Sequence, residues 1–242
     1  MFPAVHAYVA REAAYSDDSL LIVGSVLPDV AITRIVNWNE THTKGVEFRD
    51  YVLGVNPSYR RLADGVIMHG RIPRGVDHFS DVEYDGGLGY AFQKSRTLVN
   101  KVAISCGLST ENTIAAAHTF VEMALDYWLT RSHPEISDLL KDSLTVVDRD
   151  QISKHFAGFY LKDFAETKRA VNEYFNVLLS GEITNREGLV ALGAWILRKA
   201  FSVDIDTTSA IDVLDKAINI TKPTYQEFLG RAVNLVCQLK FE

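Results

Sequence analysis

An all-α fold is predicted by three observations. Apolar residues recur at three- and four-residue spacing over most of the 242-residue chain, alternating strand patterns are scarce, and hairpin-forming dipeptides are limited to Asp85-Gly86-Gly87. His6 falls on the first predicted helix. A second helix is expected from Pro57 to Gly70, with Tyr59, Leu62, Ala63, Val66 and Ile67 as its inner face. Pro57 belongs in the first turn, where a missing N–H costs nothing. One helix is expected over 88–105. The clearest covers 110–131, with Ser109 as candidate N-cap, Glu111 in the first turn, and an apolar stripe of Ile114, Ala117, Val121, Leu125 and Trp128. Further helices are expected at 135–145, 149–160, 163–179, 186–202, 208–219 and 223–240, the last starting at Lys222-Pro223-Thr224.

No Pro/Gly/Ser-rich linker, internal repeat or low-complexity tract divides the chain. It therefore reads as one structural domain, with 1–133 a metal-site helical core and 134–242 a helical C-terminal extension packed on it. That extension is expected to act as support or as a homo-oligomer interface and to supply no metal ligand. A net charge of −6 argues against an extended nucleic-acid surface, which needs clustered Lys and Arg. Two cysteines, Cys106 and Cys237, are too few for a disulfide framework or a Cys-rich zinc module. The longest apolar run, Leu20 to Val23 and on through Val26-Leu27, is far short of the roughly 20 residues that span a bilayer. Met1-Phe2-Pro3-Ala4-Val5-His6 lacks the basic and apolar regions of a leader, so a cytoplasmic location is the expectation.

Chemistry concentrates before residue 120, where five of the seven histidines fall: His6, His42, His69, His78 and His118. His118 and Glu122 are four residues apart on a predicted helix, so they share a face, and an imidazole and a carboxylate at that spacing can reach one ion. Asp126 lies one turn further along. A buried histidine bonded to a neighbouring carboxylate is the competing reading of this pair. His69 ends an apolar helix that Pro73 and Gly75 must break, which lets Asp77 and His78 fold back towards it. Here a self-solvating acidic loop is the alternative. Asp29 follows Pro28, and His42 sits between two threonines. Several imidazoles and carboxylates without cysteines suit zinc, or less selectively iron, manganese or nickel. Arg71 and Arg74 are candidate phosphate contacts. His133 and His155 fall outside this order and are expected at the surface. Asp77-His78 reverses the order of the HD phosphohydrolase signature, and neither a Gly-rich phosphate loop nor a Gly-x-Ser-x-Gly elbow is present.

The stretches Pro3-Ala4-Val5-His6, Gly24-Ser25-Val26-Leu27-Pro28-Asp29, Thr41-His42, Gly65-Val66-Ile67-Met68-His69, Asp77-His78 and His118-Thr119-Phe120-Val121-Glu122 resemble the zinc-dependent phospholipase C family. Its all-α fold is shared with the fungal single-strand nucleases, and the resemblance covers roughly residues 1–131. It implies a metal-dependent hydrolase of phosphoesters, phosphodiesters in particular, acting through a metal-activated water. By this resemblance His42 and His69 bind one metal with Asp29. His78, His118 and Glu122 bind another, and His6 corresponds to the histidine of a third site. Asp29 is a ligand or the base that orients the water. Where the family has an aspartate four residues after the apolar-helix histidine this chain has Pro73, and Asp77 is the carboxylate that offers itself instead. One or two zinc ions are the expectation, because secreted relatives complete a third site with a processed N-terminal Trp amine. Ala63 to Arg71, with Leu27-Pro28-Asp29, also resembles the bacterial acyl-carrier-protein phosphodiesterases. A third reading is a non-enzymatic helical scaffold with a degenerate metal site.

Overall fold

In the computed structural model the described residues are 3–108 and 110–239, the side chains of 110 and 111 excepted. The expected Ser109 cap and the Glu111 first-turn charge lie outside them. Among the described residues short polar caps cut the chain into helices α1 (Pro3–Ala14), α2 (Ser19–Gly24), α3 (Trp38–Thr43), α4 (Gly45–Val55), α5 (Arg60–His69), α6 (Tyr90–Ser95), α7 (Val99–Cys106) and α8 (Thr110–Ser132). They continue with α9 (Glu135–Val146), α10 (Arg149–Tyr160), α11 (Phe164–Ser180), α12 (Arg186–Phe201), α13 (Thr207–Thr221) and α14 (Tyr225–Val236). Asp18, Asn37, Asp148, Asp163, Asn185 and Asp206 each accept first-turn backbone N–H groups through their side chains, satisfying donors that have no partner within the helix. The all-α expectation holds at this level. No helix among the described residues is long and apolar enough to cross a membrane.

Three local expectations change. Pro57–Tyr59 is a separate 3-10 turn capped by Asn56, and the α-helix begins only at Arg60. The segment 88–105 is two helices, because the chain turns at Arg96–Leu98 between α6 and α7. Ahead of it, Asp85-Gly86 closes a two-residue hairpin between β1 (Glu83–Tyr84) and β2 (Gly87–Leu88), both turn residues having the positive φ that such a turn requires. Ile114 is largely exposed, whereas Ala117, Val121 and Leu125 are fully buried. The inward face of α8 runs instead through Thr113, Ala116, Phe120 and Ala124 beside them.

Helix α8 is central, packed by α1, α6, α7, α12 and α13. The C-terminal helices belong to the same hydrophobic core as the N-terminal ones, from Ala4 through Phe120 to Tyr174 and Val236. Helices α2 and α5 pack backbone against backbone, and the reason is reciprocal glycine. A Cβ at Gly24 would overlap the Leu62 carbonyl, and one at Gly65 would overlap the Leu21 carbonyl. His155, expected at the surface, is buried on α10 against the Tyr59 ring, with Nε2 lacking a hydrogen-bond partner among the described residues. It is the stripe residue that α10 presents beside Ile152 and Phe156.

Two measurements follow from this packing. Gly65→Ala drives a methyl into backbone and should destabilise the protein by about 1–3 kcal/mol, seen as a fall of several degrees in the thermal midpoint; an unchanged midpoint would contradict the close approach. Burial lowers the pKa of His155. The folded state therefore keeps it neutral while the unfolded chain takes up a proton below about 6.5, so its contribution to stability is lost as pH falls through that value. His155→Leu should flatten the loss of thermal stability between pH 7.5 and 5.5 relative to the parent chain, and an equally steep loss in the variant would overturn this account.

Candidate metal centre

Five of the predicted ligands meet in the interior. His6 projects from α1, and Asp29 stands in the 3-10 segment Leu27–Thr33, with Pro28 in its first turn. His42 lies in the last turn of α3, and His69 is the final residue of α5. Asp77 returns from the break that follows. Gly75 permits that return, since a Cβ there would strike the carbonyls of Ile67, Met68 and Gly70. All five side chains are essentially inaccessible to solvent.

Their orientation is set by backbone carbonyls. His69 Nδ1 lies 2.6 Å from the Ser25 carbonyl, and His42 Nδ1 lies 2.8 Å from the Trp38 carbonyl. Each ring thus donates Nδ1–H outward and turns Nε2 inward, an arrangement common among metal-ligating histidines. The two Nε2 atoms stand 3.1 Å apart. Asp77 closes the group, with Oδ2 at 3.2 Å from His42 Nε2 and 3.4 Å from His69 Nε2, and Oδ1 at 3.2 Å from His6 Nε2. Asp29 Oδ1 is 3.6 Å from His42 Nε2 and 3.9 Å from His69 Nε2, while its buried Oδ2 has no hydrogen-bond partner among the described residues. The rings also stack, His6 on His69 at 3.8 Å and Trp38 on His42 at 3.9 Å between centroids. Donor atoms of His6, Asp29 and His69, and of His42, His69 and Asp77, converge closely enough for one ion each, with His69 common to both sets.

Electrostatics binds these groups together. Burial alone would raise both carboxyls, but His69 and His42 outweigh it, holding Asp29 at about 2 and Asp77 well below the usual carboxylate range. Burial opposes a charge on His42, yet Asp29 and Asp77 raise it to about 9. His6 falls to about 4 through burial and the neighbouring His69. Two buried carboxylates facing imidazole Nε2 atoms require a cation or a proton at their centre. The donor chemistry fits a divalent ion such as zinc, iron, manganese or nickel.

A second group combines His118 and Glu122 with Asp81, a residue absent from the sequence expectation. Asp81 Oδ1 is 2.8 Å from His118 Nε2, and Glu122 Oε2 is 3.5 Å from His118 Nδ1. Phe92 stacks on the imidazole at 4.4 Å. Burial works against the imidazolium, but Glu122 and Asp81 raise its pKa; burial in turn raises Glu122. One turn on, Asp126 accepts the backbone N–H groups of Val5 at 3.0 Å and Ala4 at 3.4 Å, which anchors the start of α1 just ahead of His6. Burial pushes its carboxyl up to about 7.

His78 joins neither group, contrary to expectation. A single π-helical turn, His78–Val82, follows Asp77. It sends Asp77 and Asp81, four residues apart, towards the interior and turns His78 to the opposite side, edge-on to Phe79. The Asp77-x-x-x-Asp81 spacing was the available signal for Asp81. Arg71 and Arg74 also lie elsewhere. Arg71 sits over the Trp38 ring at 4.5 Å and donates to Asn39, and Arg74 is exposed beside Glu83 at 3.8 Å. The expectation that His42, His69, His78, His118 and Glu122 converge in one cavity is not met as stated: His42 and His69 belong to one donor group, His118 and Glu122 to another, and of these only His118 and Glu122 line the cavity. Neither His133 nor His155 belongs to a donor group among the described residues.

Both donor groups face one cavity of about 670 Å³, with Asp29, Asp77, Asp81, His118 and Glu122 at its floor. Its walls are apolar, and Ile196, Ala200 and Phe201 of α12 show that the C-terminal half builds part of them. Comparison with protein-family models, curated proteins and solved structures gave no match.

If the second group holds an ion, His118→Ala should cost more stability with zinc supplied than under chelator, because an ion that binds only the folded state stabilises it by about 2.7 kcal/mol at a hundredfold excess over Kd. A deficit indifferent to chelator defeats the ligand assignment. His78→Ala should leave the number of bound ions unchanged.

Proposed function

We propose that the chain is a metal-dependent phosphoric ester hydrolase of the kind that the zinc-dependent phospholipase C resemblance implies. The observation that carries this reading is the meeting of His42 and His69 Nε2 atoms between the carboxylates of Asp29 and Asp77, with both Nδ1 atoms committed to backbone carbonyls. His6, Asp29, His42, His69 and Asp77 would hold one ion or a closely spaced pair, and Asp81, His118 and Glu122 another. Bound there, a divalent ion supplies Lewis acidity, neutralising phosphoryl oxygens and making water nucleophilic near neutral pH.

The protein's own groups do the rest. Asp29 borders the cavity with Oδ2 unpartnered, so it can accept a proton from water or orient it towards phosphorus. Asp77 supplies a carboxylate that Pro73 cannot, four residues further along the chain. Apolar walls keep bulk water from competing and strengthen every charge interaction at the floor. No cysteine or serine nucleophile is needed, and Cys106 is buried, which pushes its thiol up to about 11. A degenerate scaffold has no use for two inward-facing imidazoles in a dry interior, which favours the enzymatic reading over it.

The test is metal analysis of protein purified without added metal, followed by hydrolysis of bis(4-nitrophenyl) phosphate with zinc, manganese, iron or nickel. Stoichiometric metal and metal-dependent turnover are expected. His69→Ala and Asp77→Ala should each lower turnover by more than about 100-fold, beyond what the loss of an outer partner produces. Protein that binds none of these ions and shows no metal-dependent thermal shift would end the proposal.

A further inference from the structure

The mouth of the cavity carries its own chemistry. Two cationic side chains line it, Arg34 and Lys162, and both are exposed whereas the donor groups at the floor are buried. Neither pairs with a carboxylate among the described residues, in a chain whose net charge is −6. They come from opposite halves of the sequence, Arg34 at the end of the segment that bears Asp29 and Lys162 from the turn between α10 and α11.

Backbone geometry marks the same place. Three helix ends supply this mouth: Arg34 (φ 66°), Leu161 beside Lys162 (53°) and Ser202 after Phe201 (58°) are the left-handed caps that end the Leu27–Thr33 segment, α10 and α12. Arg34 is further held by its guanidinium, whose Nη2 donates to the Ala200 carbonyl at 3.0 Å and to Ser202 Oγ at 3.2 Å. Among the described residues nothing accepts from Nε or Nη1, which leaves both to a ligand. Between mouth and floor the walls are apolar, including Ile32, Phe92 and Phe201.

Resting on the hydrolase reading for the role of the floor, we propose that Arg34 and Lys162 form an anion subsite at the mouth. The preferred ligand is then an organic phosphate with two anionic ends. Its phosphoryl group lies at the buried donors, an apolar spacer lies along the walls, and a second anion meets the guanidinium and ammonium. A substrate with an uncharged far end forgoes that charge-assisted contact.

The experiment compares two non-hydrolysable probes, phenylphosphonate and 4-carboxyphenylphosphonate, by calorimetry on the zinc-loaded full chain. The carboxylate should bind about tenfold more tightly, and Lys162→Met should remove most of that advantage while leaving phenylphosphonate affinity and the thermal midpoint unchanged. Arg34→Gln should reduce the advantage in the same direction. Equal affinities for the two probes, binding of neither, or a preference intact in both variants would overturn the subsite. The two proposals fail separately. Preference without hydrolysis of any phosphodiester leaves the subsite and ends the hydrolase reading, whereas hydrolysis of bis(4-nitrophenyl) phosphate without preference does the reverse.

Discussion

The close approach of α2 to α5 governs the geometry of the candidate site. With no side chain at Gly24 or Gly65, the two helices touch backbone to backbone, and the carbonyl of Ser25 comes within 2.6 Å of His69 Nδ1. That contact fixes the tautomer and the ring plane of the residue shared by both ligand sets of the first donor group. It also fixes the start of the Leu27–Thr33 segment and so the position of Asp29. Larger residues at either glycine would separate the helices and move an imidazole and a carboxylate apart together.

Burial gives this geometry its chemical weight. Carboxylates removed from water are costly unless a positive partner is present, and here partners and carboxylates occupy the same few ångströms. The His42 imidazole holds its proton tightly because Asp29 and Asp77 flank it, and both aspartates stay ionised because His69 and His42 face them. A divalent ion answers the same requirement with more charge and directed bonds. Asp126 serves a different end in the same interior, fastening the first backbone amides of α1 so that His6 arrives in register over His69.

Most of the helical architecture was legible in the sequence because apolar spacing follows from helix geometry whatever the partner helices are. His69 could be singled out because it ends an apolar helix, and His118 with Glu122 because a four-residue spacing puts them on one helical face. What escaped was rotation. A π-helical turn leaves no trace in apolar periodicity, so His78 turned away from the donors and Asp81, which had not been singled out, turned towards them. The inner face of α8 is turned so that Ile114 meets solvent, and His155, placed at the surface because it falls outside the ordered histidines, fills a buried stripe position. Arg71 and Arg74 were the cations nearest in sequence to His69, but Arg34 and Lys162 are the ones at the cavity, and only the packing of α11 and α12 on the Leu27–Thr33 segment brings Lys162 there.

The order of the chain also orders its assembly in time. The first donor group is complete by Asp77 and the second by Glu122, whereas the walls contributed by Ile196 and Phe201 belong to segments synthesised much later. Synthesis runs at roughly 5–20 residues per second, so the donor-bearing residues are made several seconds before the helix that walls them in. Because both halves of the chain share one hydrophobic core, the cavity acquires its apolar wall only once α12 has been made and packed.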